Sequence, residues 1–231
     1  MLRAIHPISY HEKFVASGVY QTYLEGKLQD EVERWSIHEL PDGAELIRVD
    51  RGDAQSEGFM LVEVLRSANG HIQRCDIHRI QQSFKQKLNF IFFESYAQIS
   101  NISGDSNPHI YEVELPIRTL ILVPGYVNRR ELISAEESET AYFCASIPFS
   151  EVNCWLDVRK TRKDDALKTV GGKQFTTKTY LFEAKNRSRT SVSSLSRASF
   201  DQHNILLEWK DDQAVSALLT QYARRPEPKT S

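Results

Sequence analysis

The sequence predicts an all-β protein, or nearly one: a strongly curved antiparallel sheet or open β-barrel with few short helices. Three observations carry this reading. Apolar residues recur with a period of two rather than 3.6. The runs are short and are separated by turn residues. No Gly-x-Gly-x-x-Gly occurs, which with the strand pattern disfavours a dinucleotide fold. With 231 residues, 40% apolar and 10% aromatic, the chain can bury a substantial core. Residues 1–223 read as a single β domain and 224–231 as a disordered tail.

The first residues read as a cap or short helix, and a strand follows over 14–24. In 31–38, Trp35 and Ile37 share a face opposite Arg34 and Ser36; in 44–50, Ile47 and Val49 do the same. Leu40-Pro41-Asp42-Gly43 joins them as a turn, because Pro presets φ and Asp-Gly favours reversal. Strands at 59–66 and 71–80 flank Asn69-Gly70, a pair suited to the positive φ of a tight hairpin. Further strands are predicted at 88–98, 109–123 (divided at Pro116), 127–133, 139–147, 152–160, 175–184 and 203–210. Val215, Leu218, Leu219 and Tyr222 fit one helical face, yet Lys210-Asp211-Asp212-Gln213 makes a turn into a returning strand, which is preferred. The stretch 185–199 lacks apolar material to pack and reads as a mobile loop.

The net charge of -2 gives no global attraction to nucleic acid or acidic lipid. Charge is uneven, however. Residues 159–197 hold eleven Lys/Arg against three acids, or +8, leaving the rest at -10. The segment reads as a solvated hairpin and loop, or else a positive rim for an anionic group. Its aromatics Phe175, Tyr180 and Phe182 have strand spacing, so no nucleic acid is expected. No apolar run approaches the roughly 20 residues of a transmembrane helix. Without an export signal, and with an odd cysteine count, the chain is expected in the cytoplasm. Cys75, Cys144 and Cys154 read as buried thiols; a hairpin centred on Phe149 would set Cys144 opposite Cys154.

Motifs for chemistry are sparse, and no cofactor or metal is expected. Asp76 and His78 share a strand face, where a carboxylate can orient an imidazole, but Arg74 lies beside them. Glu136-Glu137-Ser138-Glu139 reads as an acidic turn, Gly171-Gly172-Lys173 as a hairpin glycine pair, and Arg51-Gly52-Asp53 as a chance triplet.

Gly18 to Lys27, Glu33-Arg34-Trp35-Ser36-Ile37 and Leu40-Pro41-Asp42-Gly43 resemble the opening strands of glycolipid-binding and lipoprotein-carrier-like proteins. Lys173 to Phe182 and Leu206 to Asp212 resemble their end. The resemblance implies a curved antiparallel sheet wrapped around a helix or ligand. The function read here is non-catalytic binding of an amphipathic or lipid-like small molecule in the concave face. Trp35, Phe90, Phe92, Trp155, Tyr180 and Trp209 would form the apolar wall, and Arg187, Arg189 and Arg197 would meet an anionic part. The alternatives are an enzyme on the same barrel, or an interaction module pairing through a sheet edge.

Overall fold

The computed structural model describes residues 2–53, 58–82, 84–104, 106–135, 139–145, 155–187 and 193–226. The first half of the chain is a meander: β1 (Lys13–Leu24), β2 (Lys27–Glu39), β3 (Glu45–Asp53), β4 (Phe59–Arg66), β5 (Ile72–Gln81), β6 (Phe84–Phe92), β7 (Tyr96–Ser103) and β8 (His109–Glu114). The second half begins with β9 (Leu120–Leu122) and a 3-10 helix (Val127–Ser134). It continues through β10 (Thr140–Cys144), β11 (Trp155–Val170), β12 (Lys173–Asn186), β13 (Ser193–Phe200), β14 (Leu206–Asp211) and β15 (Val215–Arg224). All fifteen strands join one sheet, ordered β8 to β1, then β15 down to β9. Each neighbouring pair is antiparallel except β9 and β10, which run parallel.

This order dictates the curvature. Strands β8 and β9 are the two opposite edges of the sheet, yet only residues 115–119 connect them. A link that short spans about 20 Å when fully extended. The sheet therefore curls until its edges nearly meet, without closing into a barrel. The parallel β9–β10 pair then needs a crossover, and that crossover lies inside the curl.

The alternation seen in the sequence sets the concave face. Ladder pairs Ile47↔Val64, Val49↔Val62, Val62↔Ile77 and Cys75↔Phe90 run across it. Val127 and Leu132 of the 3-10 helix are buried in the same core. Phe143 of β10 meets Phe90 and Phe92 of β6 at ring distances of 6.4 and 6.2 Å, although the two strands lie toward opposite ends of the sheet. The crossover and β10 thus fill much of the curl.

The convex face is dry where the N-terminal residues cross it. The Arg3 guanidinium clasps Asp50 at 2.7 Å, and the backbone N–H groups of Ile5 and His6 donate to Glu63 at 2.8 and 2.9 Å. Arg48, the ladder partner of Glu63, donates to Glu12 through both terminal nitrogens at 2.6 and 2.9 Å. Buried ion pairs of this kind add little net stability but strongly penalise misplacement. They fix the strap over β3 and β4, where Leu46 and Leu61 are buried beneath it. The cap reading holds in that sense, but this segment has no helix.

Several segments differ from the sequence expectation. The predicted strand 88–98 is two strands: the chain reverses at Glu94-Ser95, where the Phe93 N–H donates to the Tyr96 carbonyl at 2.9 Å. The predicted strand 127–133 is the 3-10 helix. Inside the curl no strand pairs with it in a ladder, so local bonds satisfy its backbone. Arg129 N–H donates to the Tyr126 carbonyl at 3.0 Å, and Ala135 N–H to that of Leu132 at 3.1 Å.

The stretch 185–199 is not a loop throughout. Lys185 and Asn186 end β12, and β13 begins at Ser193. Arg189 lies outside the described residues. The small residues of β13 have a packing reason: the ladder sets Ala198 between Tyr180 and Trp209, so large rings flank a small one. Strand β11 extends far past 160 to meet Gly171-Gly172, a hairpin turn as expected. The preferred strand after Asp212 is β15, and Arg225 N–H still donates to the Val15 carbonyl at 2.9 Å, so order continues past position 223. Pairs Thr140↔Val158 to Phe143↔Trp155 are centred on position 149 as expected; Cys154 lies outside the described residues.

Trp35 lies directly over Gly18. A Cβ at Gly18 would sit 2.6 Å from its ring and 2.8 Å from the Gln221 carbonyl oxygen. Gly18→Ala is expected to lower stability by about 1–3 kcal/mol. Urea unfolding followed by tryptophan fluorescence checks this, and an unchanged midpoint would contradict the contact.

Candidate functional site

The crossover does not fill the curl to its end. Beside it lies an open cleft of about 890 Å³, within the size range of small-molecule sites. Met60 supplies one apolar side and Leu122, Val123 and Leu156 the other, while Phe59 and Ile80 border the cleft from strand positions whose side chains alternate to the convex face. The opposing wall comes close because the chain turns at Pro124-Gly125. Gly125 has φ +107° and packs against Val49, where a side chain would not fit.

Among the described residues, four charged side chains line the cleft: Glu31, Arg51, Arg79 and Arg129. Arg51 pairs with Glu31, and its guanidinium lies 5.4 Å from the Tyr126 ring centre. Arg79 donates to the Gln81 side-chain oxygen at 3.0 Å. Arg129 lies 5.0 Å over the Trp209 ring. Its Nε is buried without a hydrogen bond, and no carboxylate among the described residues pairs with it. Burial pulls its proton affinity below the usual arginine value, though the neighbouring Tyr126 and Glu33 oppose this.

Glu33 lies deeper, across the ladder from Arg51 on one side and Tyr20 on the other. One carboxyl oxygen accepts the Tyr126 N–H at 2.6 Å, which anchors the entry to the 3-10 helix. The other oxygen has no hydrogen-bond partner among the described residues. Burial raises its pKa to about 7, against the pull of Arg51 and the backbone N–H groups of Tyr126 and Val127. The cleft region therefore combines apolar walls, an excess of fixed positive charge and one buried acid that titrates near neutrality.

The aromatic residues read from the sequence as a ligand wall lie mostly in the packed core. Trp35 is 1% exposed, with Tyr20 and Tyr222 near its ring at 6.1 and 6.2 Å. Phe90 is fully buried, and Phe92 is stacked on it at 6.1 Å. Trp155 meets Phe143 edge-on at 5.5 Å. Tyr180 packs against Phe182 and Phe200, and Trp209 stacks on Phe182. None of these six lines the cleft, although Trp209 touches it through Arg129. Arg187 is held by Asp157 at 2.6 Å and lies over Trp155, while Arg197 is exposed beside Lys210 on the ladder. Neither arginine reaches the cleft.

Asp76 and His78 alternate with Cys75 and Ile77 and so face the convex side. Asp76 accepts from Asn89 at 2.6 Å and pairs with Arg74 at 3.0 Å. Burial, with Lys87 nearby, lowers the His78 pKa. Glu136, Glu137 and Ser138 lie outside the described residues.

Two of the cleft region's charges carried a sequence signal. Glu33 keeps the period of Trp35 and Ile37, and Arg51 that of Ile47 and Val49, so each is a charge on an apolar face. Arg129 had none, because its segment read as a strand.

No family model matches the sequence, and no curated protein matches it. Among solved structures, the chain is similar to the crystal structure of a β-barrel-like protein of the domain of unknown function DUF1849 from Brucella abortus. The TM-score is 0.60 at 8% identity, covering 93% of this chain and 99% of that one. The likeness is one of fold. It supports the curved-sheet part of the resemblance drawn from the sequence. No helix among the described residues is long and apolar enough to cross a membrane.

An acid with a raised folded-state pKa binds more protons when folded than when unfolded. Its contribution to stability therefore falls as pH climbs from about 4.5 to about 7. Glu33→Gln retains an oxygen for the Tyr126 N–H and removes that titration. The variant is expected to gain up to about 3 kcal/mol relative to the parent between pH 5 and pH 8. Chemical denaturation at both pH values measures it; parallel curves for the two proteins would contradict the buried-acid assignment.

Proposed function

We propose that the protein binds an amphipathic or lipid-like small molecule without catalysing a reaction on it. The supporting observation is the cleft of about 890 Å³ between apolar walls, with its charge confined to a few side chains. Such a site offers an oily body a dry surface and leaves one polar end to be fixed by specific groups. The resemblance to glycolipid-binding and lipoprotein-carrier-like proteins favours the same class of ligand. The binding wall in this reading is Met60, Leu122, Val123 and Leu156 rather than the aromatic core. Asp76 and His78 do not support an enzyme on this scaffold, because they face away from the cleft and Asp76 is already engaged.

Native mass spectrometry after mild purification is expected to show bound material that organic solvent extracts. The neutral dye N-phenyl-1-naphthylamine is expected to bind the emptied protein with enhanced fluorescence. Met60→Trp, which narrows the cleft, is expected to weaken the dye by roughly fivefold or more, the scale of losing about one buried methylene or two. A protein that yields no extractable amphiphile and leaves the dye dark would overturn the proposal.

A further inference from the structure

We propose that the cleft's ligand carries an anionic head group, a carboxylate or a phosphate, and that Arg129 is the residue that receives it. This deepens the amphiphile-binding reading and rests on it.

The argument starts from the charges that face the space. Among the described residues, three guanidinium groups and one carboxylate line the cleft. Arg51 and Glu31 neutralise each other, and Arg79, near the end of β5, donates to the neutral side chain of Gln81 and has no carboxylate partner among the described residues. Arg129 stands apart from both. Elsewhere the fold pairs its buried arginines with care: Arg48 holds Glu12 and Glu63, and Arg130, the next residue along, holds Glu45. Arg129 has neither a paired carboxylate nor a hydrogen-bonded Nε among the described residues. A half-buried cation with no hydrogen-bonded anion is costly to a fold. A bound anion removes that cost at the place where it arises.

Its setting suits reception rather than structure. The Trp209 ring beneath the guanidinium, at 5.0 Å, restrains the plane of the fork through cation–π contact while leaving its N–H donors for another partner. The 3-10 helix fixes the backbone, with the Arg129 N–H on the Tyr126 carbonyl at 3.0 Å. A planar fork held this way matches the paired oxygens of a carboxylate or phosphate. Glu33 also acts on Arg129 electrostatically, but one of its oxygens is occupied by the Tyr126 N–H. The apolar walls beside Arg129, Leu122 and Val123 on one side and Met60 across from them, receive the remainder of the molecule.

The test uses amphiphiles of one chain length and different heads, each below its micelle concentration: dodecanoate, dodecyl phosphate, dodecyl maltoside and dodecyltrimethylammonium. Affinities are read by calorimetry and by Trp209-sensitive fluorescence on the delipidated full chain. One or both anions are expected to bind at least roughly tenfold more tightly than the neutral and cationic compounds, the scale of a charge-assisted hydrogen-bonded pair. The better of the two identifies the head as carboxylate or phosphate. Arg129→Met, which keeps an unbranched chain over Trp209, is expected to abolish that preference while leaving dodecyl maltoside unchanged. Equal binding of all four by the parent protein, or an undiminished anion preference in folded R129M, overturns the assignment and leaves amphiphile binding standing. Binding of none of the four overturns both. Should R129M fail to fold, the parent's ranking of the four heads decides alone.

Discussion

The shortness of the connection between β8 and β9 governs this structure. Five residues join the two outermost strands of a fifteen-stranded sheet. No flat arrangement satisfies that, so the sheet must roll up. Rolling creates an interior, and an interior wider than its own side chains must be filled or hydrated. The filling is the crossover that links parallel strands β9 and β10. The cleft is the part of the interior that this segment leaves uncovered.

One polar contact seats the filling segment. Glu33 projects from β2 into the interior and takes the Tyr126 N–H, just where the chain enters its 3-10 turns. A buried carboxylate is an expensive way to satisfy an amide. The expense is moderated because Glu33 can hold a proton near neutral pH and because Arg51 lies across the ladder. Glu33 therefore seats the core segment, and with Arg51 and Arg129 it sets the field felt inside the cleft. Structure and the proposed binding share this region, which is why the acid and the arginine must be judged by separate measurements.

The sheet was largely legible in the sequence because its period is local. Trp35 with Ile37, Ile47 with Val49, and the turns at Asp42-Gly43 and Asn69-Gly70 specify pairing between neighbours along the chain. What escaped depends on partners far away. Nothing near Val127 states that it will enter a cavity and lack a neighbouring strand. Nothing near Ser196 and Ala198 states that Phe182 and Tyr180 will flank them, so a run of small residues resembled a loop. The aromatic residues were correctly placed on strands, but their fate depended on the crossover. Phe143 occupies the space in front of Phe90 and Phe92 that a ligand would otherwise take. The arginines of the basic hairpin were conspicuous by number, whereas the one beside Trp209 was a single residue in a misread segment.

The unjoined edges have a mechanical consequence. In a closed barrel the calibre is set by strand number and stagger, and dilation must rupture a ladder. A scroll has a seam. Its two lips, β8 and β9, can slip past each other within the reach of their tether while every existing strand pair stays intact. Under the binding proposal, ligands of differing girth would be accommodated by loosening the roll, with the tether acting as the stop.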